Sequence, residues 1–477
     1  MKHTENTKKD GVIITEVSLE PFSESFDYWF GRHNYYHQHV LSFYKSIVPH
    51  GMRVLHVQCK NGYVLEEVAD KYKGVGVEYD DQTRTVAAKR YSQYQFYKEI
   101  NQIPFQTFDY ILLSFATMEA DDIYELFCLL RTYCHRDTRI IVETYRSLWS
   151  PLLWIAQRLG LKRSVYYKNW LNSRDMATFF HVANFEEVTS GGYMLMPFYI
   201  PFLSWFFNTI IAHMPLLNRL CLHQWTMIRP RKKIGKKDAS VSVIIPCRNE
   251  RGNIEAAINR MPLLGKNLEF IFVEGYSRDG TLDEIISMQN KYSDKNIRWF
   301  EQEGKGKGDA VRKGFSEAKG EILIILDADL TMPPEELYKF YDILVHGYAD
   351  FINGSRLIYA MESQSMGRIA WLANRFFGWI ISWIIGQPVS DTLCGTKVLW
   401  KKDYHAIAAN RDMLGLWDPF GDFDLLFGAA KQNLKIIDIP IHYKRRTYGK
   451  TNIFHYKEVW FLFGMCARAW AILRARI

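Results

Sequence analysis

Short apolar runs alternate with longer helical stretches in two separate parts of the chain. In the first part, from Met52, these runs are RVLHVQC, YKGVGVE, FDYILLSF and TRIIVE. In the second part, from about Val241, they are SVSVIIPCRNE, LEFIFVEG, IRWFEQ, EILIILDAD and ADFINGSR. Apolar strands separated by helices are typical of parallel sheets that are covered on both faces. The pattern therefore predicts two α/β units, with ligands at the carboxyl ends of the strands.

Changes in composition predict where these units begin and end. Residues 1–48 are polar and then aromatic, which predicts a helical extension, and the first unit follows at 49–228. The basic segment 229–239, RPRKKIGKKDA, predicts a linker. We expect the second unit at 240–452 and a C-terminal amphipathic helix at 453–477.

Three apolar segments suggest contact with a membrane. Residues 193–217 carry no Lys, Arg, Asp or Glu, but three prolines argue against one straight spanning helix. Both bilayer insertion and an interfacial or buried helical pair stay open for this segment. Residues 368–386 and 459–477 predict amphipathic helices that either face a bilayer or pack only on protein.

Composition and charge agree with a membrane surface as a partner. The chain has 477 residues, of which 48% are hydrophobic, and 60 Lys and Arg against 52 Asp and Glu leave a formal charge of +8. This charge suits anionic lipids or phosphorylated substrates, and no basic stripe accompanies a nucleic-acid-binding motif. The cysteines form no C-x-x-C pair, and the N-terminus lacks the apolar core of a signal peptide. We therefore expect a cytoplasmic protein, peripherally associated with the inner face of a membrane.

The strongest candidate for chemistry is Asp327-Ala328-Asp329, which ends the apolar run EILIILDAD. Two neighbouring carboxylates repel each other unless a cation neutralises them. A hard divalent ion such as Mg²⁺ or Mn²⁺, held by carboxylates and a diphosphate, meets this need. A D-x-D tripeptide is also common in surface turns, so its position after a buried strand is what favours a metal site.

Residues 241 to about 452 resemble family 2 inverting glycosyltransferases, especially those related to dolichyl-phosphate and polyprenyl-phosphate sugar synthases. The resemblance rests on ordered motifs: VSVIIPCRNERGNI, VEGYSRDGT, GKGKGDAVRKGF, LDADLTMPPEEL, NGSR, DTLCGTK and DFDLLFGAAKQNLKIIDIPIHYKRRTYGKTN. It implies a GT-A-type fold and a metal-dependent transfer of sugar from a nucleotide-diphosphate donor to a polyprenyl phosphate or another lipid-linked acceptor. A sugar hydroxyl acceptor, in cell-surface polysaccharide assembly, is the alternative.

The resemblance also implies roles for individual residues. Asp327 and Asp329 are expected to bind the metal, and Asp424 or Asp422 to act as general base if the acceptor is a hydroxyl. The expected donor-binding residues are Pro246, Asn249, Glu250, Glu274, Asp279, Lys305, Lys307, Asp309 and Asp327. The residues expected at an acceptor phosphate are Arg356, Lys397, Arg445 and Arg446. Because Glu274-Gly275 replaces the family's usual pair of acids, the donor base, uridine or guanosine, stays open.

Residues 52 to about 228 resemble class I methyltransferases that use S-adenosylmethionine, on the motifs VLHVQCKNG, GVGVE and FDYILLSFATMEADD. The resemblance implies a Rossmann-like fold with Gly62 and Glu78 at the cofactor. His56, Gln58 and Lys60 replace the acid and two glycines of the usual motif, and the side chains of Gln58 and Lys60 are expected to crowd the cofactor. We expect this half to be inactive in methyl transfer; a bifunctional enzyme and a nucleic-acid-binding methyltransferase are the alternatives.

Overall fold

The computed structural model describes residues 22–163, 165, 167–231, 238–359, 368–411, 418, 421–446, 448 and 456–474. The chain divides into two compact units, with the boundary directly after Arg231. Parts of the predicted N-terminal extension, 1–21, and of the predicted linker, 232–237, lie outside the described residues. Each unit contains one seven-stranded sheet with helices packed against it.

The N-terminal unit contains seven described strands and nine described α-helices. The strands are β1 (Val54–Val57), β2 (Gly74–Val77), β3 (Gln95–Tyr97), β4 (Phe108–Ser114), β5 (Cys134–Tyr145), β6 (Phe185–Tyr193) and β7 (His223–Pro230). The helices are α1 (Phe22–Arg32), α2 (Asn34–Ile47), α3 (Tyr63–Val68), α4 (Asp81–Arg90), α5 (Ala116–Glu119), α6 (Ile123–Thr132), α7 (Ser150–Arg158), α8 (Ser173–Val182) and α9 (Leu203–Trp205).

The sheet of the N-terminal unit has the order β3-β2-β1-β4-β5-β7-β6. Strands β1 to β5 pair in parallel, as the apolar runs predict, whereas β7 is antiparallel to both β5 and β6. The order 3-2-1-4-5 is that of a doubly wound sheet, in which the crevice for a ligand lies between β1 and β4. The Rossmann-like fold expected for this half is therefore confirmed.

The long uncharged run 193–217 does not form one helix. Strand β6 ends at Tyr193, and short helical segments follow from Leu203 to His213 and again at Leu216–Leu220. Pro197 and Pro201 lie in the irregular stretch between them, where the missing amide donor of proline breaks no helical hydrogen bond. Among the described residues, no helix has both the length and the apolar character that crossing a bilayer requires.

The C-terminal unit contains seven described strands and eight described α-helices. The strands are β8 (Val241–Cys247), β9 (Leu268–Glu274), β10 (Asn296–Glu301), β11 (Ile322–Ile325), β12 (Phe351–Ser355), β13 (Lys397–Trp400) and β14 (Ile436–Pro440). The helices are α10 (Ile254–Asn259), α11 (Thr281–Lys291), α12 (Lys307–Glu317), α13 (Leu337–Val345), α14 (Arg368–Ile385), α15 (Lys401–Ala409), α16 (Asp422–Lys431) and α17 (Tyr456–Leu473).

The sheet of the C-terminal unit has the order β10-β9-β8-β11-β13-β12-β14. Strands β8 to β11 pair in parallel, and β13 runs antiparallel between β11 and β12. An apolar core covers each face of the sheet, which confirms the predicted α/β class. Because β8, β9 and β11 are parallel neighbours, the loops that follow them emerge at one edge of the sheet.

Helices α14 and α17 correspond to the apolar segments predicted at 368–386 and 459–477, of which residues 475–477 lie outside the described part of the chain. The two helices pack against each other, with the rings of Phe377 and Phe463 5.1 Å apart. Phe377 is buried, whereas Leu372, Trp379 and Trp460 leave more than half of their surface exposed. The pair therefore buries one apolar face and presents further apolar side chains to the outside.

Candidate functional site

Loops from three parallel strands meet the segment after β14 at one edge of the C-terminal sheet. Arg446, in that segment, joins two of these loops. Its Nη2 donates to Asp329 Oδ2 at 2.6 Å, and its Nη1 donates to Glu250 Oε1 at 3.2 Å. The predicted metal residue Asp329, the predicted donor residue Glu250 and the predicted acceptor residue Arg446 are thus direct neighbours.

Glu250 is a buried carboxyl group in the loop after β8, with only 7% of the residue exposed. Burial raises its pKa to about 7, although Arg446 and a hydrogen bond from Asn253 oppose this shift. Its backbone amide donates to Thr281 Oγ1 at 2.9 Å, which fixes the loop against α11. Near neutral pH, Glu250 is therefore partly protonated beside the Asp329–Arg446 pair.

Glu274 shapes the loop after β9. It is buried, and its two carboxylate oxygens accept the backbone amides of Tyr276 at 2.9 Å and Ser277 at 2.6 Å. Pro246, the other predicted donor residue at this level of the sheet, lies half-buried in β8 and pairs with β9. The hydrogen bonds of Glu274 hold the loop conformation, and its contact with a donor stays a prediction.

Asn249 and Asp279 connect the loops after β8 and β9. Asn249 has a positive φ of 58° and its Oδ1 accepts the amide of Arg278 at 2.8 Å. Asp279 accepts the amide of Thr281 at 3.1 Å and the hydroxyl of Tyr448 at 3.2 Å. Burial raises the pKa of Asp279, but hydrogen bonds from Thr281 and from neighbouring amides outweigh it and hold the pKa below the usual value.

The glycine-rich loop GKGKGDA leads into α12 and carries two lysines with different surroundings. Lys305 is exposed, whereas Lys307 begins α12 and its Nζ lies 2.5 Å from Asp327 Oδ1. Asp309 accepts the amide of Gly304 at 2.7 Å, which closes the loop. A side chain at Gly395 would meet the carboxylate of Asp327 and the ammonium of Lys307, so it would displace this ion pair.

A buried cluster of opposite charges lies around Asp327. Burial raises the pKa of Asp422, opposed by the positive charges of Lys307 and Lys397. Lys397 is fully buried, its ammonium donates to the carbonyl of Cys394, and Nζ lies 3.6 Å from Asp422 Oδ1. Lys397, predicted to face an acceptor phosphate, therefore lies beneath the site rather than on its surface.

Arg356, a second residue predicted at the acceptor phosphate, is held by a bidentate ion pair. Its Nε and Nη2 donate to the two carboxylate oxygens of Asp391 at 2.7 and 2.8 Å. Asp391 is fully buried and also accepts Asn374 Nδ2 at 2.7 Å. Two of the three guanidinium nitrogens of Arg356 are thus committed to the protein, whereas Arg445 lies exposed beside Arg446.

The two candidate bases lie at the start of α16 and differ in their partners. Asp424 accepts Arg411 Nε at 2.6 Å and is buried. Asp418 accepts the backbone amide of Asp424 at 3.0 Å and so stabilises the first turn of α16. Asp422 Oδ1 is buried and accepts no hydrogen bond from the described residues. Asp424 Oδ1 is likewise buried without a hydrogen bond within the described chain, so the two acids differ in their cations, Arg411 for Asp424 and Lys397 for Asp422.

The D-x-D carboxylates fit a cation that arrives together with a phosphate ligand. Within the described ranges, no group of three or more His, Cys, Asp or Glu side chains is arranged for a metal ion. Asp327 and Asp329 are each neutralised by a basic side chain, Lys307 and Arg446 respectively. Mg²⁺ is commonly held by one or two carboxylates plus the phosphates of a substrate. The residues therefore suit a metal that completes its ligand set with a diphosphate.

The N-terminal unit has a cavity of about 1140 Å³ at the carboxyl ends of β1, β2 and β4, lined in part by Gln58, Lys60 and Glu78. Gln58 and Lys60 have positive φ angles of 57° and 54°, the conformation that glycine favours. Gln58 Nε2 donates to Glu119 at 2.6 Å, and the amide of Lys60 donates to Glu78 at 2.8 Å. Gly62, at φ 85°, starts α3. Both substituted side chains project to the cavity, and a volume adequate for a nucleoside-sized ligand persists.

Residues 242–404 match the family model for glycosyl transferase family 2. Dolichol-phosphate mannosyltransferase of Pyrococcus furiosus is 39% identical over 220 residues, which cover 45% of this chain and 59% of that protein. Undecaprenyl-phosphate 4-deoxy-4-formamido-L-arabinose transferase of Aeromonas hydrophila is 33% identical over 112 residues, 23% of this chain and 34% of that protein. The chain thus spans about three-fifths and one-third of the two relatives. The structure of a SAM-dependent methyltransferase from Thermotoga maritima covers 44% of this chain and 95% of its own, with 14% identity and a TM-score of 0.34.

Proposed function

We propose that the C-terminal half, whose residues 242–404 match the family model for glycosyl transferase family 2, moves a sugar from a nucleotide-diphosphate donor to a polyprenyl phosphate or another lipid-linked acceptor. The observation that carries this proposal is the contact of Arg446 with Asp329 and Glu250. It joins the residues for the metal, the donor and the acceptor at one edge of the sheet. The two relatives are named for dolichol phosphate and undecaprenyl phosphate, which supports a lipid phosphate as acceptor.

The donor diphosphate is placed at the D-x-D loop and the start of α12. Asp327 and Asp329 hold Mg²⁺ or Mn²⁺, which supplies positive charge for the leaving diphosphate. Lys307 adds a second positive charge, and the free amides of the first turn of α12 favour an anion. Asn249, Glu250 and the loop after β9 hold the nucleoside.

The acceptor phosphate is placed at Arg446 and Arg445. A metal held by Asp329 would free Nη2 of Arg446 for the acceptor phosphate, while Nη1 keeps its contact with Glu250. A lipid phosphate is already an anion, so the reaction needs positioning opposite the leaving group rather than a general base. Asp424 is engaged by Arg411, which agrees with a reaction that uses no carboxylate base.

A membrane surface is the proposed location, at its cytoplasmic face. The exposed apolar side chains of α14 and α17, including Trp379 and Trp460, support this placement. The N-terminal unit contributes no methyl transfer in this scheme, because Gln58 and Lys60 stand where the cofactor loop needs glycines.

The test is transfer by the purified full chain with Mn²⁺, using UDP and GDP sugars with and without polyprenyl phosphate. We expect a lipid-linked sugar product that Asp329→Ala abolishes, whereas Asp342→Ala, at an exposed acid on α13, leaves transfer unchanged. Turnover that does not need the lipid would move the acceptor to a hydroxyl. In that case Asp422→Asn should abolish transfer, because the raised pKa of Asp422 suits a general base.

A further inference from the structure

The cavity of the N-terminal unit has an aromatic part that the predicted cofactor residues do not use. This part is bounded by α1, α2 and the described residues 149–163, 165, 167 and 168. Its aromatic side chains are Trp29, Tyr36, Phe115, Tyr145, Trp149 and Tyr167. Aromatic walls of this kind accept the apolar body of a ligand and place polar groups only at selected points.

The mouth of this cavity is apolar. Leu152, Leu161 and Phe198 line the cavity and yet are 57%, 53% and 58% exposed, so they form its rim. Leu152 belongs to α7, a helix of sequence SPLLWIAQR in which no residue is buried. An apolar rim and an apolar helix without cover give a hydrocarbon chain a continuous path from the outside into the cavity.

Two cations inside this mouth make no ion pair with a described acid, although the charge of Glu119 acts on Lys162. Lys162 Nζ lies 5.6 Å from the ring centre of Tyr145 and 5.2 Å from that of Tyr167, and no described acid pairs with it. The guanidinium of Arg32 lies 5.2 Å from the ring centre of Trp29 and likewise pairs with no acid in the described part of the chain. Burial lowers the pKa of Lys162 to about 8, so it stays mostly protonated at neutral pH. Both groups are available to an anion.

Arg32 and Lys162 act on the same imidazole. Burial lowers the pKa of His33, and the charges of Arg32 and Lys162 lower it further. The Trp29 ring under Arg32 stacks on His33. The hydroxyl of Tyr36, three residues further on, lies 2.9 Å from that of Tyr145, over whose ring Lys162 lies, so both cations line the same part of the cavity. His33 Nε2 also lines this region, is buried and has no hydrogen-bond partner among the described residues. An anionic head group at this point would meet two positive charges and an unpartnered imidazole nitrogen.

The sequence around the mouth is basic and lacks acids. Residues 147–174 contain five Lys and Arg and no Asp or Glu, and residues 194–222 contain only Arg219 among charged residues. The Nε1 of Trp149 donates to the carbonyl of Leu220 at 2.8 Å, so the two segments are adjacent in the unit. The cavity lining as a whole also carries the acids Glu78, Asp80, Asp81, Glu119 and Glu143. The basic and apolar residues therefore favour an anionic amphiphile only at the end of the cavity where Arg32 and Lys162 lie.

We propose that this cavity binds an amphiphilic lipid anion, with the anionic group at Arg32 and Lys162 and the apolar chain along the aromatic wall to Leu152 and Phe198. The site lies within the N-terminal unit and does not depend on sugar transfer by the C-terminal unit. An ion pair within a cavity is screened less than one at the surface, so the two cations hold the anionic group inside while the apolar chain extends to the rim.

The experiment is titration of the full chain with farnesyl phosphate, followed by tryptophan fluorescence and calorimetry. Lys162→Met should weaken binding about tenfold, the loss expected for one charge-assisted contact, and Lys162→Arg should keep it. Arg158→Met is the matched control, since Arg158 lies over Trp154 outside the cavity lining. Phe198→Ser should weaken the binding of farnesyl phosphate without affecting folding, because Phe198 is exposed.

Two comparisons separate this site from other sources of binding. Farnesol, which lacks the anion, and inorganic phosphate, which lacks the chain, should each bind much more weakly than farnesyl phosphate. If inorganic phosphate bound as tightly as farnesyl phosphate, the cavity would be a site for free phosphate and the proposal of an amphiphilic ligand would be overturned. Binding that Arg446→Met removes and Lys162→Met leaves intact would place the lipid at the sugar-transfer site and overturn the proposal.

Discussion

Replacing Arg446 by methionine should strengthen the binding of Mn²⁺ in the absence of nucleotide. Arg446 Nη2 lies 2.6 Å from Asp329 Oδ2, with 25% and 15% of the two side chains exposed. A metal that binds Asp329 must displace this guanidinium from the carboxylate. Arg446 therefore competes with the metal in the free protein.

The size of this competition follows from the burial of the Arg446–Asp329 pair. An exposed ion pair contributes up to about 1 kcal/mol, and a hydrogen bond to a charged group about 1.5–3 kcal/mol. For a pair that is mostly but not fully buried we expect about 1–2 kcal/mol. Removing the guanidinium should therefore raise Mn²⁺ affinity by about five- to thirtyfold.

Electron paramagnetic resonance of free Mn²⁺ measures this affinity directly in wild type and Arg446→Met. Arg445→Met is the matched control, because Arg445 is the exposed neighbour of Arg446 and should leave the Mn²⁺ affinity unchanged. If Arg446→Met bound Mn²⁺ no more tightly than the wild type, the proposed competition between Arg446 and the metal for Asp329 would be refuted. Sugar transfer to lipid phosphate should also fall in Arg446→Met, since the acceptor phosphate loses the guanidinium group that is proposed to bind it.

Three further predictions concern stability and the N-terminal cavity. Asp391→Asn should lower the unfolding free energy of the C-terminal unit by about 3–5 kcal/mol in urea, because it leaves the charge of Arg356 without its buried partner; a loss under about 1 kcal/mol would contradict this. Burial raises the pKa of Glu250 from 4.5 to about 7. The protonated Glu250 carboxyl therefore stabilises the folded state fully below pH 4.5, and this contribution of at most about 3 kcal/mol is lost as the pH rises through 7. The melting temperature of the wild type should therefore fall relative to that of Glu250→Gln between pH 4.5 and about 7. If the two proteins showed the same dependence of melting temperature on pH, the raised pKa of Glu250 would be contradicted. Replacing Gln58 and Lys60 together by glycine should strengthen S-adenosylmethionine binding in calorimetry, because it opens the cavity; no gain would count against crowding.

The pattern of apolar runs predicted the parallel core of each sheet but not its antiparallel strands. β1, β4, β8 and β11 are mostly apolar and almost entirely buried because both faces of a parallel sheet are covered. The sequence of β6, FEEVTSGGY, has no such run, and its strand is held by pairing with β7. Such strands depend on a neighbour distant in sequence, which the local pattern does not contain.

The motifs indicated which residues could form the site but not how they pair. Arg446 and Asp329 are 117 residues apart in the chain, so their contact depends on the fold. Lys397 shows the limit most clearly, because a lysine expected at an acceptor phosphate is fully buried beside Asp422. The signal for its burial was its place at the start of the apolar strand β13, KVLW, where alternate side chains face the core.

The most direct test of sugar transfer is the fate of a labelled sugar from a nucleotide donor in the presence of polyprenyl phosphate. The label should enter the organic phase with the wild-type chain and Mn²⁺, and should stay in water with EDTA or with Asp329→Ala. A folded wild-type chain that forms no labelled lipid from any UDP or GDP sugar, or that forms it equally well with EDTA, would contradict the account.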